Sequence, residues 1–244
     1  MSQREIVQLD SGYVLHHRAY QNTSRIIDFL TENHGLISLV AQGVRRPKAA
    51  HRAVLQPFVP LVLSWVRRSE LGKLTHLEGQ AQAFDFAGKQ LMAGFYLNEL
   101  LLRLLARGDP NPEAFSCYSR CLTELAVGHD VERPLRLFEF QLLKALGYEL
   151  NLGCEVDSGL PIQPETYYFF ELERGPVICQ DRTEGADIFF GRDLIALREG
   201  MLDDKKSLKA AKRLLQRVLQ LYLGERPLRT RMVLSELFGK GLEL

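Results

Sequence analysis

The sequence predicts an α+β protein, with a small closed β-barrel first and a mainly helical domain after it. Three observations lead there. Residues 1–80 carry short β-branched, aromatic and aliphatic runs punctuated by Gly, Asn and Pro. From about residue 81 to 244 the apolar positions recur at spacings of three and four, the helical period. Between 151 and 190 that period is lost among glycines and prolines, which reads as a small irregular β-containing insert.

In the first segment the candidate strands are Val14 to Tyr20, Arg25 to Leu30, Leu36 to Gln42, Phe58 to Val66 and Lys73 to Leu77. Five short strands at this spacing suggest a barrel, because closure removes exposed edges. The gap from Gly43 to Pro57 is long for a hairpin, and long loops on compact scaffolds are often functional. Ala87 to Arg107 is apolar nearly all round and predicts a central helix, with Glu99 and Arg103 spaced for a helical ion pair. Pro112 suits the first turn of a second helix, and Pro134 stands near the start of a third that ends at a left-handed Gly147. Helix returns at Gly191 to Gly200, at Ser207 to Leu223 and at Thr230 to Phe238. In the second of these, Leu208, Ala211, Leu215, Val218 and Tyr222 line one face, and Asp203-Asp204 stand at the N-terminal end, where acids favour the helix dipole.

The chain has 244 residues, 46% of them hydrophobic, enough for a sizeable core. No apolar run approaches the roughly 20 residues of a membrane span, and the first residues lack a signal-peptide core, so a cytoplasmic protein with no membrane partner is expected. The net charge is only +1, but it is unevenly spread. Leu36 to His76 holds seven basic residues against one acid, and Asp203 to Arg231 nine against three. Between them, Ala81 to Leu202 holds 11 basic and 19 acidic residues. Two basic blocks flank an acidic middle, so a near-neutral total conceals strong local fields.

Signatures of catalysis are missing. None of His16, His17, His34, His51, His76 and His129 stands in HExxH, and there is no GxSxG or GxxxxGK[ST]. Adjacent His16 and His17 would point to opposite faces of a strand, a poor metal pair. No cofactor is implied, and any ATP-dependent step belongs to a partner. Of the four cysteines, Cys117 and Cys121 share a helical face and read as buried thiols.

Several motifs in order resemble one known family. Gly43-Val44-Arg45-Arg46-Pro47-Lys48 followed by Leu55-Gln56-Pro57-Phe58 resembles the basic loop and following strand of the recombination mediator protein O (RecO) family. Tyr96-Leu97-Asn98-Glu99-Leu100-Leu101 is similar to its first long helix, and Leu137-Phe138-Glu139-Phe140 through Leu146-Gly147-Tyr148 to its third. Ala210-Ala211-Lys212-Arg213 and Leu228-Arg229-Thr230-Arg231 fit its last helices. The resemblance implies an N-terminal barrel of the oligonucleotide-binding (OB) fold over residues 1–80 and a helical domain over 81–244, in a non-enzymatic DNA repair mediator that binds single- and double-stranded DNA, anneals complementary strands and helps load recombinase. Its implied partners are the ring-forming mediator R (RecR) and the acidic C-terminal tail of single-stranded DNA-binding protein, with recombinase engaged indirectly. Many members carry two cysteine pairs that hold structural zinc in the insert. Here Cys154 and Cys179 stand alone, with Asp157 and Arg182 where second thiols would lie. Two thiolates do not close a tetrahedral site, so a zinc-free insert held by its own packing is expected.

Phosphates demand Lys and Arg, and unpaired bases stack on aromatic rings. The candidate DNA surface is therefore Arg18, Tyr20, Arg25, Arg45, Arg46, Lys48, Arg52, Arg67, Arg68 and Lys73. Lys205, Lys209, Lys212, Arg213 and Arg217 form a candidate second basic surface, or a solvated helix face. An acidic peptide tail with a bulky apolar end needs a greasy pocket with a cationic rim. Tyr96, Leu100, Leu104, Phe115 and Phe140 are wall candidates, and Arg103, Arg107, Arg120 and Arg133 rim candidates; core packing with surface ion pairs is the bland alternative. A rival reading is an adaptor whose basic surfaces take acidic peptide tails and bind little DNA. A metal-dependent nuclease, a third reading, lacks a clustered ligand set.

Overall fold

The computed structural model describes residues 4–45, 54–80, 83–128, 130–179 and 187–238, the last five of these by backbone alone. Five strands, β1 (Glu5–Tyr20), β2 (Ser24–Thr31), β3 (Gly35–Ala41), β4 (Leu61–Arg67) and β5 (Leu71–Gly79), close a barrel in the order β1-β2-β3-β5-β4. All pairings are antiparallel except β3 with β5, whose short parallel stretch from Ser38 to Val40 closes the ring. The barrel predicted from alternation and turn residues is therefore present, and it is of the oligonucleotide-binding type.

β1 is longer than the pattern predicted, 16 residues instead of a strand starting at Val14. Its first half pairs with β4 and its second half with β2. The register shifts between Val7 and Asp10, where Leu9 takes φ +55° and donates its N–H to Ser64 Oγ at 3.0 Å. That bulge explains the missed half. Val7 and Val14, an odd number of positions apart, both face the barrel core, so strict alternation fails across the bend.

Phe58 was expected inside the fourth strand but lies outside it with φ +66°. Pro57 and Pro60 remove ladder donors on either side. The Phe58 ring packs instead on Phe86 and Phe95, over Gly94, where a Cβ would come within 2.7 Å of the ring. The barrel core is Val14, Ile27, Phe29, Leu39, Leu61, Leu63 and a fully buried Trp65.

The chain forms two compact units, Met1–Gly128 with Leu228–Glu243, and His129–Pro227. This partition differs from the sequence boundary near residue 80, because α1 (Gly88–Leu104), α2 (Pro112–Val127) and α6 (Arg229–Phe238) group with the barrel. A buried polar chain binds α1 and α2 to β1. Asn98 donates to the Leu15 carbonyl at 3.0 Å, Tyr118 OH donates to Asn98 Oδ1 at 2.6 Å, and Tyr13 OH meets Ser119 Oγ at 3.0 Å. Arg107, just beyond α1, reaches Asp28 at 3.1 Å and Ser38 at 2.6 Å. Glu99 accepts from the Arg229 and Thr230 N–H groups at 2.7 and 2.9 Å, capping α6.

The second unit holds α3 (Glu132–Ala145), α4 (Gly191–Glu199) and α5 (Lys205–Leu223) with a three-stranded sheet in the order β7-β6-β8: β6 (Tyr167–Glu171), β7 (Gly175–Ile178) and β8 (Ile188–Phe190). Gly147 follows α3 at φ +82°, the left-handed conformation expected from its position. Asp204 caps α5, accepting from Lys206 and Ser207 N–H groups at 2.8 and 3.0 Å, as the acidic pair before the helix suggested. The buried face of α5 is Ala210, Ala211, Leu214, Leu215, Val218 and Leu219, rotated slightly from the predicted stripe, so that Leu208 and Tyr222 are only half-buried. Tyr222 instead stacks on Tyr148 with ring centroids 3.8 Å apart.

Candidate nucleic-acid interface

A basic concavity belongs to the barrel. Two turns border it, Gln21 to Thr23 between β1 and β2 and Arg68 to Glu70 between β4 and β5. Lys73 on β5 pairs in register with Val40 on β3 and with Val66 on β4, so the three side chains share one outward face. The two valines and Leu71 make an apolar floor. Around it stand Arg4, Tyr20, Gln21, Arg67, Arg68 and Lys73, lining a groove of about 680 Å³. No acidic residue is among the described lining residues.

Arg67 is held by Glu5, whose carboxylate accepts from both Nε and Nη2. That pair fixes the guanidinium at the groove edge and removes part of its charge. Arg68 and Lys73 are exposed and form no ion pair among the described residues. Gln21 takes φ +51° in the β1–β2 turn, and its carbonyl accepts from Arg45 Nη1 at 3.3 Å. Arg45 N–H also donates to the Thr23 carbonyl at 3.0 Å. The start of the basic loop is thereby tied to the turn that borders the groove, while Val44 and Leu55 anchor its two ends in the barrel core.

Of the sequence candidates, Tyr20, Arg67, Arg68 and Lys73 come together in this groove, with Arg45 adjoining through Gln21. Arg18 shares the outward face of Tyr20 but does not line the groove; Arg25 is half-buried at the start of β2, near His17. Burial, then Arg25 and His16, hold the His17 imidazole below its ordinary pKa of 6.5, so it adds no charge at neutral pH. Arg46, Lys48 and Arg52 lie outside the described residues. Sequence reasoning missed Arg4, because the half of β1 that begins next to it was not recognised as strand.

The other candidate sets are more dispersed. On α5, Lys205 and Lys209 are exposed, Lys212 is half-buried, and the two arginines turn toward the small sheet. Arg213 lies over the Phe189 ring at 4.4 Å and donates to the Ile188 carbonyl; Arg217 pairs with Asp187. The peptide-pocket candidates fall in both units: Tyr96, Leu100, Arg103, Leu104, Arg107, Phe115 and Arg120 in the first, Arg133 and Phe140 in the second. Tyr96 and Leu100 are fully buried, and Phe115, half-buried, packs on Tyr13 with centroids 5.6 Å apart. Leu104, Arg103 and Phe140 are half-buried, and Arg120 is exposed. Arg133 donates to the Gly200 carbonyl at 3.3 Å and approaches Asp203 at 3.7 Å.

In the insert, Cys154 and Cys179 are half-buried thiols outside any disulfide, and Asp157 pairs with Arg174 at 3.2 Å. Arg182 lies outside the described residues. Among those residues no group of three or more His, Cys, Asp or Glu could hold a metal ion. Glu155 organises the turn there, accepting from Asp157 and Ser158 N–H groups at 3.1 and 2.6 Å; the Ser158 hydroxyl first, then these N–H groups and the Ile178 backbone, hold its carboxyl below the usual range.

Two family models match consecutive stretches, the recombination protein O N-terminal model over residues 5–82 and the C-terminal model over residues 86–232. The chain belongs to the RecO family. The junction of the two RecO models falls between the barrel and α1. The DNA repair protein RecO of Methylococcus capsulatus is 44% identical over 225 residues, covering 92% of each chain. That of Coxiella burnetii (strain CbuG_Q212) is 41% identical over 228 residues, 93% of this chain and 98% of its own. That of Actinobacillus pleuropneumoniae serotype 7 is 40% identical over 233 residues, 95% and 96% of the two chains. RecO membership assigns a role in DNA repair and recombination. No described helix is long and apolar enough to cross a membrane.

Proposed function

We propose that this protein binds DNA through the barrel groove and acts as a recombination mediator. In this reading it anneals complementary strands and helps load recombinase onto strands covered by single-stranded DNA-binding protein. Its partners would be a RecR-type mediator and the acidic tail of that coating protein, its place the cytoplasm, and it would supply no bond-breaking chemistry. The observation that carries the reading is the groove itself. Arg4, Arg67, Arg68 and Lys73 ring an apolar floor beside Tyr20, with no described acid among the lining residues. Cations at this spacing neutralise successive phosphates and release counterions, and a ring beside them offers an unpaired base a stacking surface. A paired duplex hides its base faces and would meet only the rim, so the groove suits single strands better.

Fluorescence anisotropy of a labelled single strand, titrated at several salt concentrations, tests the proposal. Affinity should fall steeply with salt. The double variant Arg68→Ala with Lys73→Ala should lower the slope of log affinity against log salt by about 1.4, the loss of two single-strand phosphate contacts. Unchanged affinity and slope in the variant would remove the groove from the DNA site. Binding of an acidic peptide tail with no binding of DNA, even at low salt, would establish the adaptor reading instead.

A further inference from the structure

The small sheet of the second unit has two unlike faces. Residues paired across a ladder share a face, and the register pairs Tyr167 with Phe190, and Phe169 with both Ile188 and Val177. In the alternate set Tyr168, Phe170, Pro176 and Phe189 are buried, while Ile178 at the end of β7 is exposed. The first set is not buried. Tyr167 and Phe169 on the central strand are 41% and 40% exposed, and Val177, Ile188 and Phe190 are half-buried around them. This outward face is built from three strands, with three aromatic rings among its five apolar side chains, and Glu171, the next same-face position on β6, closes one end of it paired with Arg174; the barrel groove does not account for such a face.

We propose that this face is a second single-strand platform, on which successive nucleobases stack against Tyr167 and Phe169. Three features favour bases over an apolar protein surface. The rings are two residues apart on one strand, about 7 Å, a step that an extended strand with unstacked bases can follow. Phe190 lies against Tyr167 with centroids 4.9 Å apart, which widens the aromatic surface across the sheet. The Arg192 guanidinium sits 5.7 Å from the Phe190 centroid, on the edge of that surface. Its partner is Glu165, and both side chains of the pair are well exposed. A pair of that kind contributes little to the fold, so the guanidinium can exchange the carboxylate for a phosphate. A central strand that displays aromatic rings at alternate positions is a general solution for holding unpaired bases. The proposal extends the DNA-binding reading to a separate site: one strand in the barrel groove and a second here would give annealing two surfaces.

The test uses the full-length protein and a labelled oligothymidine. The double variant Tyr167→Ser with Phe169→Ser should weaken binding about tenfold or more, because each lost stack is large on this scale. It should leave the salt slope unchanged, since no phosphate contact is removed, whereas the groove variant lowers both affinity and slope. Tyr167→Phe, which keeps the ring, should bind as wild type does and shows that the site tolerates substitution. Photocrosslinking of a bromouracil-substituted strand should map to the peptide that contains Tyr167 and Phe169. Wild-type affinity in the serine variant, with crosslinks confined to the barrel, would overturn this proposal and leave the groove standing. So would loss of a protein partner with unchanged DNA binding. Failure of the wild-type protein to bind the strand at all would overturn both.

Discussion

Tyr118 and Asn98 show how much rests on single polar atoms inside the first unit. Both are buried, and the phenol donates to the amide oxygen while the amide nitrogen donates to β1. Tyr118→Phe leaves a buried acceptor without its donor and should cost about 1–3 kcal/mol, read as a lower urea midpoint with unchanged m-value. The thiols should divide by burial. Desolvation pushes Cys117 up to about 12, so it stays unreactive toward a thiol reagent near pH 8 until the protein unfolds. Cys154 and Cys179, half-buried, should react first.

Three side chains contribute to the acid response. His17 in the folded protein holds its proton less tightly than the ordinary 6.5, mainly because of burial. Above pH 6.5 it is neutral in both states; below, the unfolded chain protonates first, and stability falls. Asp204 and Glu155 are held below their ordinary 3.8 and 4.5 chiefly by hydrogen bonds from Ser207 and Ser158. Their contributions are present above those values and are lost as pH falls through the lower folded ones. The melting temperature should therefore decline once below 6.5 and again in stronger acid. His17→Gln should remove the first decline only, as measured by calorimetry across pH 4 to 8.

At the scale of elements, regular pieces were legible and irregular ones were not. α2 announces itself through Pro112 in its first turn, and its Asn111 cap accepts from the Ala114 N–H at 2.9 Å. α5 shows a polar face against an apolar one, with an acid at its cap. β1 was half missed because its bulge reverses the alternation on which strand reading depends. The site followed the same division. Arg67, Arg68 and Lys73 were visible as a basic hairpin, whereas Arg4 joins them only because β1 runs back along β4. Arg107 was read as a pocket rim, but it binds Asp28 and Ser38, joining the end of α1 to the barrel wall. Arg107→Ala should loosen that junction, seen as faster amide exchange at Ser38 and Leu39.

For the whole molecule, the return of the chain is the consequential feature. The second unit occupies residues 129–227, and Leu228 onward rejoins the first. α6 docks on α1 through Glu99, and Arg231 donates to Tyr96 OH at 3.3 Å. A chain ending at Pro227 should therefore melt lower in its barrel-containing unit, although the deleted helix is the farthest in sequence from the barrel. Trp65, the single tryptophan and fully buried in the barrel, reports on that unit alone by fluorescence.

Composition and periodicity by themselves determined a barrel followed by helices, two basic blocks about an acidic middle, and most element positions, because those properties are local along the chain. Only the tertiary structure decided which cations share a groove, which arginines are turned into the sheet beneath α5, and that the last helix belongs with the first. Each of these depends on residues far apart in sequence meeting in space, through strand register, a bulge and a returning chain, and no local pattern encodes such meetings.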